Sequence, residues 1–317
     1  MKPLVSIITS SFNNSRDIPK MMESVLNQTH TNWELLISDD GSSDNSREII
    51  DRYTDPRIKK FHSPQNRGIV KQMSVLLERA QGDFITPLDA DDMFAPDKLE
   101  LQVAAFTKNP NLSVCLCIVA IVDENDQVLQ VANHYPLDHQ GIINFIDTRH
   151  AFPCGNMNSM MFKKESINKH KGYHQYWHGT GGHDLDWILR ILTDGKEVVA
   201  VPKVLYYWRK HAFSFSRKIN KDPIRNQVHD LCYLLYEQRK KHQKDDLTGL
   251  ESGELAALRQ KILDDYQQDP SRIYREICNS RDLPYKVRLE HGLQSIKLNP
   301  WHQKNYRYFI KSAFRWK

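Results

Sequence analysis

The chain has 317 residues, 40% of them hydrophobic and 26% charged, which is ordinary for a soluble globular protein and excludes a disordered or fibrous one. Lys and Arg number 44 against 39 Asp and Glu; the net charge of +5 suits anionic small molecules or an anionic membrane surface and does not by itself indicate nucleic acid. Five scattered cysteines with no C-x-x-C pair speak against a disulfide framework and a zinc ribbon. The opening MKPLVSIITSSFNN is too poor in apolar residues for a signal peptide, and no apolar run is long enough for a transmembrane helix, so a reducing cytoplasmic home is expected.

The first hundred residues alternate between two periods. Strands are expected at 5–9, 33–38, 59–62 and 84–88, and helices at 17–26, 44–53 and 69–80. Pro96 fits the first turn of a further helix ending near Lys108. Strands separated by helices need crossover connections, hence an α/β fold with a mainly parallel sheet flanked by helices. Ligands then bind beyond the carboxyl ends of the strands, where SSFNN, SDDGSSD and LDADD all fall. Residues 112–122 form a long β-rich run, with 128–131 pairing as a hairpin. A polar, His-bearing stretch covers 133–158; a strand at 159–163, a helix at 184–193 and a strand at 198–209 follow. From 223 onward the pattern is helical throughout and rich in Lys, Arg and aromatics. The expected division is a catalytic domain over 1–220 and a helical region over 221–317.

Three acidic corners carry the chemistry. In SDDGSSD, Asp39 and Asp40 end a strand, Gly41 turns the chain, and Ser42 or Ser43 caps the next helix. On its own this motif reads best as a capped turn; a receiver domain also gathers acids at strand ends but would stop well short of this chain's length. In LDADD, Asp89, Asp91 and Asp92 crowd like charges at the end of a buried strand. Such crowding is costly unless a cation offsets it. An x-separated carboxylate pair can hold Mg²⁺ or Mn²⁺ through one or two oxygens, with substrate phosphates completing the shell. A solvated acidic turn ahead of a helix is the other reading, and Asp92 suits it. In GTGGHDLDWILR, glycines precede a helix that opens on His183, Asp184 and Asp186. Asp184 there is either a general base or an N-cap acid. The glycines follow no strand and form no dinucleotide fingerprint.

Taken together, these segments resemble the family 2 glycosyltransferases, inverting enzymes with the GT-A fold, over roughly residues 4–217. The resemblance rests on VSIITSSFNN, ELLISDDGSSDNS, NRGIVKQMSVLLERAQGDFITPLDADD, GGHDLDWILRI and YYWRKHAFSFS, in that order. It implies transfer of a hexosyl or N-acetylhexosaminyl group from a UDP-linked sugar to a hydroxyl of a surface glycan or lipid-linked acceptor, with Mn²⁺ or Mg²⁺ as cofactor. It implies that Thr9, Phe12 and Asn13 line the base pocket, that Asp39 holds the base, and that Asp40 holds the loop. It assigns Asp89 to the ribose or sugar, Asp91 to the metal and diphosphate, and Asp184 to deprotonation of the acceptor. Arg209, His211 and Ser214 or Ser216 would close over the diphosphate, with His211 a metal ligand; His183 and Trp187 would face the acceptor or its loop. The chain departs from the family pattern at four positions: Phe12 for a frequent Tyr, Ser10 for a frequent Pro, Met73 for a frequent Arg, and His183 for Glu. Lys71 or Arg67 is the stand-in for the missing arginine. His183 and Met73 keep open a non-catalytic sugar-nucleotide or glycan binder that scaffolds an assembly complex. A metal phosphohydrolase is a third reading.

In the carboxy-terminal region Tyr306, Phe309, Ile310, Ala313 and Phe314 approximate one helical face, with Lys304, Arg307, Lys311, Arg315 and Lys317 supplying charge. Two readings stand: an amphipathic segment on the inner face of an anionic membrane, or a bundle packing its aromatic face on the catalytic domain.

Overall fold

A computed structural model describes residues 2–133, 135–149, 152, 157–170, 172–210, 222–279 and 285–314. His211, Ser214 and Ser216 lie outside the described residues. The chain divides into two compact units, Met1–Lys210 and His211–Lys317.

The first unit begins with the alternation expected from its periodicity: β1 (Val5–Ser11), α1 (Ile18–Leu26), β2 (Trp33–Asp39), α2 (Ser46–Asp51), β3 (Ile58–His62), α3 (Ile69–Arg79) and β4 (Phe84–Pro87). The strands lie in the order β3-β2-β1-β4, all parallel. Register puts Ser11 opposite Asp39 and Ile8 opposite Pro87. The loops after β1, β2 and β4 therefore open on one edge of the sheet, which is how a parallel sheet makes a cleft. Apolar side chains of β1 and β2, with α1 and α4, supply the core; Ile7, Leu35, Met21 and Leu99 are fully buried.

The rest of the unit comprises β5 (Met93–Phe94), α4 (Lys98–Lys108), β6 (Leu112–Val122), β7 (Val128–Ala132), α5 (His139–Arg149), β8 (Met161–Lys163), α6 (Lys164–His170), α7 (His183–Leu192) and β9 (Glu197–Arg209). Here the sheet becomes mixed. Strand β8 runs antiparallel between β4 and β6; β9 is parallel to β6; β5 and β7 add antiparallel pairs. The short β6–β7 connection leaves no room for a crossover, so that pair must be antiparallel. Strand β5 was not anticipated, because two residues carry no periodicity.

Behind the strand ends runs a buried polar ladder. The Lys98 ammonium donates to Thr86 Oγ1 at 2.9 Å and to Gln102 Oε1 at 2.7 Å, and lies 4.2 Å from the centre of the Phe94 ring. Gln102 in turn donates to the carbonyls of Cys115 and Ser159 at 2.8 and 3.0 Å. This ladder ties α4 to β4, to β6 and to the segment before β8, and so fixes the strand from which the LDADD turn departs.

The second unit holds α8 (Pro223–Asn226), α9 (Val228–His242), α10 (Glu254–Gln268), α11 (Ser271–Asn279), α12 (Tyr285–Leu298) and α13 (Gln303–Phe314). Arg275, buried, ties α11 to α13 by bonding Asp269 at 2.7 Å and Asn305 at 2.6 Å. Gly292 allows close helix approach: a Cβ there would sit 2.8 Å from both Cys278 Sγ and the Phe309 ring. Among the described residues no helix is long and apolar enough to cross a membrane.

Burial lowers the Lys98 pKa from 10.5 to about 8, with the neighbouring Cys117 and Cys115 opposing it. Between those two values the unfolded chain holds a proton that the native state has shed. Stability therefore rises with pH across that window, by about 3 kcal/mol in full. Denaturant titrations across that pH range should show this gain in the native protein relative to Lys98→Met, which cannot titrate there.

Candidate active site

The acids that the sequence singles out gather at the carboxyl edge of β2, β1 and β4. Asp39 and Asp40, at the end of β2, are both buried and hold different partners. Asp40 accepts from the Arg67 and Gly68 backbone N–H groups at 2.8 and 2.9 Å and from the Gln72 amide at 2.5 Å. It thus braces the turn into α3, its charge placed where the helix dipole favours an anion. Asp39 Oδ2 accepts only a 3.2 Å bond from Ser42 N–H, and Oδ1 is enclosed with no partner. A buried acceptor left open in this way is costly, and a donor group from a ligand would satisfy it. Gly41 makes the sharp turn between these acids and the helix: its φ is +71°, and a Cβ would lie 2.6 Å from the Gln65 carbonyl carbon.

At the end of β1, Thr9 is fully buried and its hydroxyl has no partner, whereas Phe12 is 46% exposed. Phe12 thus presents an open ring face for stacking. Asn13 sits at φ 55°, a conformation that asparagine tolerates. Its side-chain oxygen accepts from Ser43 N–H at 2.8 Å while its own N–H donates to Ser42 Oγ at 2.9 Å. Asn13 therefore staples the β1 loop to the β2 loop, and its oxygen is already engaged. Lys71 is exposed on α3, Met73 is buried, and Arg67 bonds Asp40 through its backbone.

The LDADD turn is the centre of the charge. One carboxylate oxygen from each of Asp89, Asp91 and Asp92 can be chosen so that all lie within 4.8 Å of one another. Burial, then the charges of Asp91 and Asp184, push the Asp89 pKa up to about 7, against a hydrogen bond from Asn158. Burial, then the charges of Asp91 and Asp89, raise Asp92 well above the carboxylate range. Asp92 is fully buried: its Oδ2 accepts from the Tyr206 hydroxyl at 2.6 Å and its Oδ1 from the Arg209 N–H at 2.8 Å. Both its oxygens are engaged, so it shapes the turn, while Asp89 and Asp91 remain partly exposed. Hard carboxylate oxygens crowded at this density fit Mg²⁺ or Mn²⁺.

Arg209 differs from expectation. Its side chain is only 1% exposed. The guanidinium pairs with Asp126 at 2.5 Å and Asp17 at 3.4 Å and bonds the Asp91 and Asp123 carbonyls at 3.0 and 3.1 Å. Enclosed by these acceptors, it locks the acidic turn to the β6–β7 connection and to the start of α1 rather than facing a diphosphate. Trp187 also differs: it is 1% exposed and packs on Phe162 and Tyr173, with ring centroids 4.5 and 5.0 Å away. It belongs to the core around α7, whose residues from Leu185 to Leu192 are all buried.

Helix α7 carries its two acids differently. Asp186 is buried and pairs with Arg190 at 3.2 Å, while Arg190 bonds the Gly172 carbonyl at 2.5 Å. Asp184, at the helix start, is half-buried and takes a 2.8 Å bond from Leu185 N–H. It lies close enough to Asp89 to raise that residue's pKa. Tyr173 stands beside both acids: after burial, Asp184 and Asp89 raise its pKa further. The Tyr173 ring meets His183 edge-on at 5.0 Å, and His183 Nδ1 is enclosed without a partner. Sequence reasoning missed Gln72, Asn158, Tyr173 and Tyr206. Each lies in an ordinary helix, loop or strand, and no local spacing marks it.

The family model "Glycosyl transferase family 2" matches residues 6–168. An Escherichia coli protein named UDP-Glc:alpha-D-GlcNAc-diphosphoundecaprenol beta-1,3-glucosyltransferase WfgD is 40% identical over 125 residues, covering 39% of this chain and 49% of that protein. The chain spans less than half the length of each of the first curated relatives it matches. Among solved structures, Staphylococcus aureus TarS 1–349 in complex with UDP-GlcNAc matches with a TM-score of 0.57 at 14% identity, covering 98% of this chain and 90% of that one. The mannosyltransferase PcManGT from Pyrobaculum calidifontis, in complex with GDP-Man and Mn²⁺, matches with a TM-score of 0.56 at 17% identity over 99% and 86% of the two chains. These neighbours share the GT-A fold.

Replacing Tyr206 with Phe strips a donor from a buried carboxylate, a loss of about 1–3 kcal/mol. Thermal melting of Tyr206→Phe should show that drop with secondary structure unchanged, and Mn²⁺ titration should show weaker uptake.

Proposed function

The chain belongs to glycosyl transferase family 2, and from that membership we propose that it transfers a hexosyl or N-acetylhexosaminyl group from a UDP-linked sugar to a hydroxyl of a growing surface glycan or lipid-linked acceptor. The carrying observation is that Asp184, from a distant part of the chain, shares one electrostatic neighbourhood with Asp89 and Asp91. The E. coli relative, whose name gives UDP-Glc as donor and a diphosphoundecaprenol-linked sugar as acceptor, supports the donor and acceptor classes. The proposed setting is the cytoplasmic face of a membrane.

In this reading the nucleobase stacks on Phe12 and donates to the open Asp39 oxygen, with Thr9 beside it. Asp89 takes the ribose or sugar hydroxyls. Asp91, with Asp89 beside it and His211 as the proposed further ligand, would hold Mn²⁺ or Mg²⁺, which when bound supplies positive charge against the diphosphate. Lys71, Ser214 and Ser216 are proposed to approach the donor from the loops. Asp184 removes the proton from the acceptor hydroxyl as its oxygen bonds the anomeric carbon. The bond to the diphosphate oxygen breaks on the opposite face, which inverts the anomeric configuration. His183 orients the acceptor ahead of that base.

Asp184→Asn should keep nucleotide binding while lowering acceptor-dependent UDP release by on the order of 10²–10⁴-fold. Chelation should abolish release, and Mn²⁺ should restore it. Full turnover in Asp184→Asn would refute the assignment of the base. Donor binding without turnover by the native protein, across a broad acceptor panel, would favour the scaffold reading instead.

A further inference from the structure

The second unit is electrically uneven. In its α10–α11 half, arginines are matched to carboxylates: Arg272 to Asp265 and Glu276, and Arg275 to Asp269. In the α12–α13 hairpin, residues 285–314, six cations (Lys286, Arg288, Lys297, Lys304, Arg307 and Lys311) face the single acid Glu290. No described carboxylate pairs with any of the six.

The same hairpin leaves its apolar groups in water. Trp301, in the connection between the two helices, is 92% exposed, and Leu298, which ends α12, is 47% exposed. Along α13, Tyr306 and Ile310 are 43% and 51% exposed, whereas Asn305 and Ser312 are buried and Phe309 lies against Gly292. The aromatic face read from the sequence is therefore divided. Phe309 closes the helix packing, and Tyr306 and Ile310 are left outside with Arg307. An indole exposed to this extent, in a hairpin whose six cations pair with no described carboxylate, has no use in folding the unit.

We propose that the α12–α13 hairpin docks on an anionic lipid surface, with Trp301 and Leu298 entering the headgroup region and the cations facing lipid phosphates. Indole and tyrosine rings favour that boundary, and basic residues near it are drawn to anionic leaflets. The combination selects the partner: an acidic protein surface would match the charge, but the indole, tyrosine and aliphatic groups left in water beside the cations match the boundary of an anionic leaflet. Its purpose rests on the reading of the acceptor as lipid-linked, but the docking itself needs no substrate.

Co-sedimentation of the full chain with vesicles tests it. Phosphatidylcholine vesicles containing phosphatidylglycerol should retain the protein, and pure phosphatidylcholine vesicles should not. Trp301→Ser should weaken retention by on the order of tenfold. Lys297→Gln with Arg307→Gln should weaken it by about the same factor, as should raised salt. Both variants should keep the native melting temperature and the native rate of UDP release with a water-soluble acceptor. No retention on anionic vesicles, retention unaffected by Trp301→Ser, or tighter binding to polyuridylic acid than to the vesicles would each overturn the proposal. Retention by a protein that transfers no sugar would uphold docking while refuting the enzymatic reading.

Discussion

The structure depends on one arrangement: three carboxylates within a four-residue turn, held at the end of a buried strand. Left to themselves, Asp89, Asp91 and Asp92 would repel and protonate, and the raised pKa values of Asp89 and Asp92 record that tension. The fold contains it by dividing the labour. Asp92 is held by donors from the far end of β9, the Tyr206 hydroxyl and the Arg209 N–H, and the Arg209 side chain holds the Asp91 carbonyl. That fixes the turn so that Asp89 and Asp91 stay partly exposed beside it. A site organised in this way presents the hard oxygens that the proposed cation would need.

Much of the remaining architecture serves that turn. The parallel strands β2, β1 and β4 bring three polar loops to one edge. The Lys98 ladder stiffens β4 from behind, and Arg209 ties the turn to α1 and to the β6–β7 connection through Asp17 and Asp126. Helix α7 then delivers Asp184 to the same neighbourhood, its own seat set by the buried Asp186–Arg190 pair. Burial thus separates two acids on one helix: Asp186 is paired with Arg190 inside, and Asp184 stays at the solvent edge. The second unit follows a different logic, with paired charges on α10–α11 and, on α12–α13, cations that pair with no described carboxylate.

Local patterns made the scaffold legible. Apolar runs, helical spacing and Gly41 announced the alternating strands and helices, and the acids at strand ends announced a cleft. They announced the β6–β7 hairpin and the runs of β8 and β9, but not β5, which is too short to show a period, nor how β8 and β9 pair. Nor did they separate Asp39 from Asp40, whose neighbours differ only through contacts with residues far along the chain. The family resemblance assigned Arg209 to the diphosphate and Trp187 to the acceptor or its loop; in the fold both side chains are buried among other groups. Gln72, Tyr206 and Tyr173 escaped notice for the converse reason, since each acts through partners that the spacing of residues does not reveal.

The sequence by itself determined the chemical inventory and its order: carboxylates after the second and fourth strands, an acid at the start of a late helix, and a basic, aromatic end. Those follow from periodicity and turn chemistry, which operate over a few residues. The tertiary structure alone decided which carboxylate is spent on shaping the turn, which arginine is enclosed, and which tryptophan stands in water. These outcomes depend on burial and on contacts between residues more than a hundred positions apart, as Asp92 and Tyr206 are, and no local pattern encodes them.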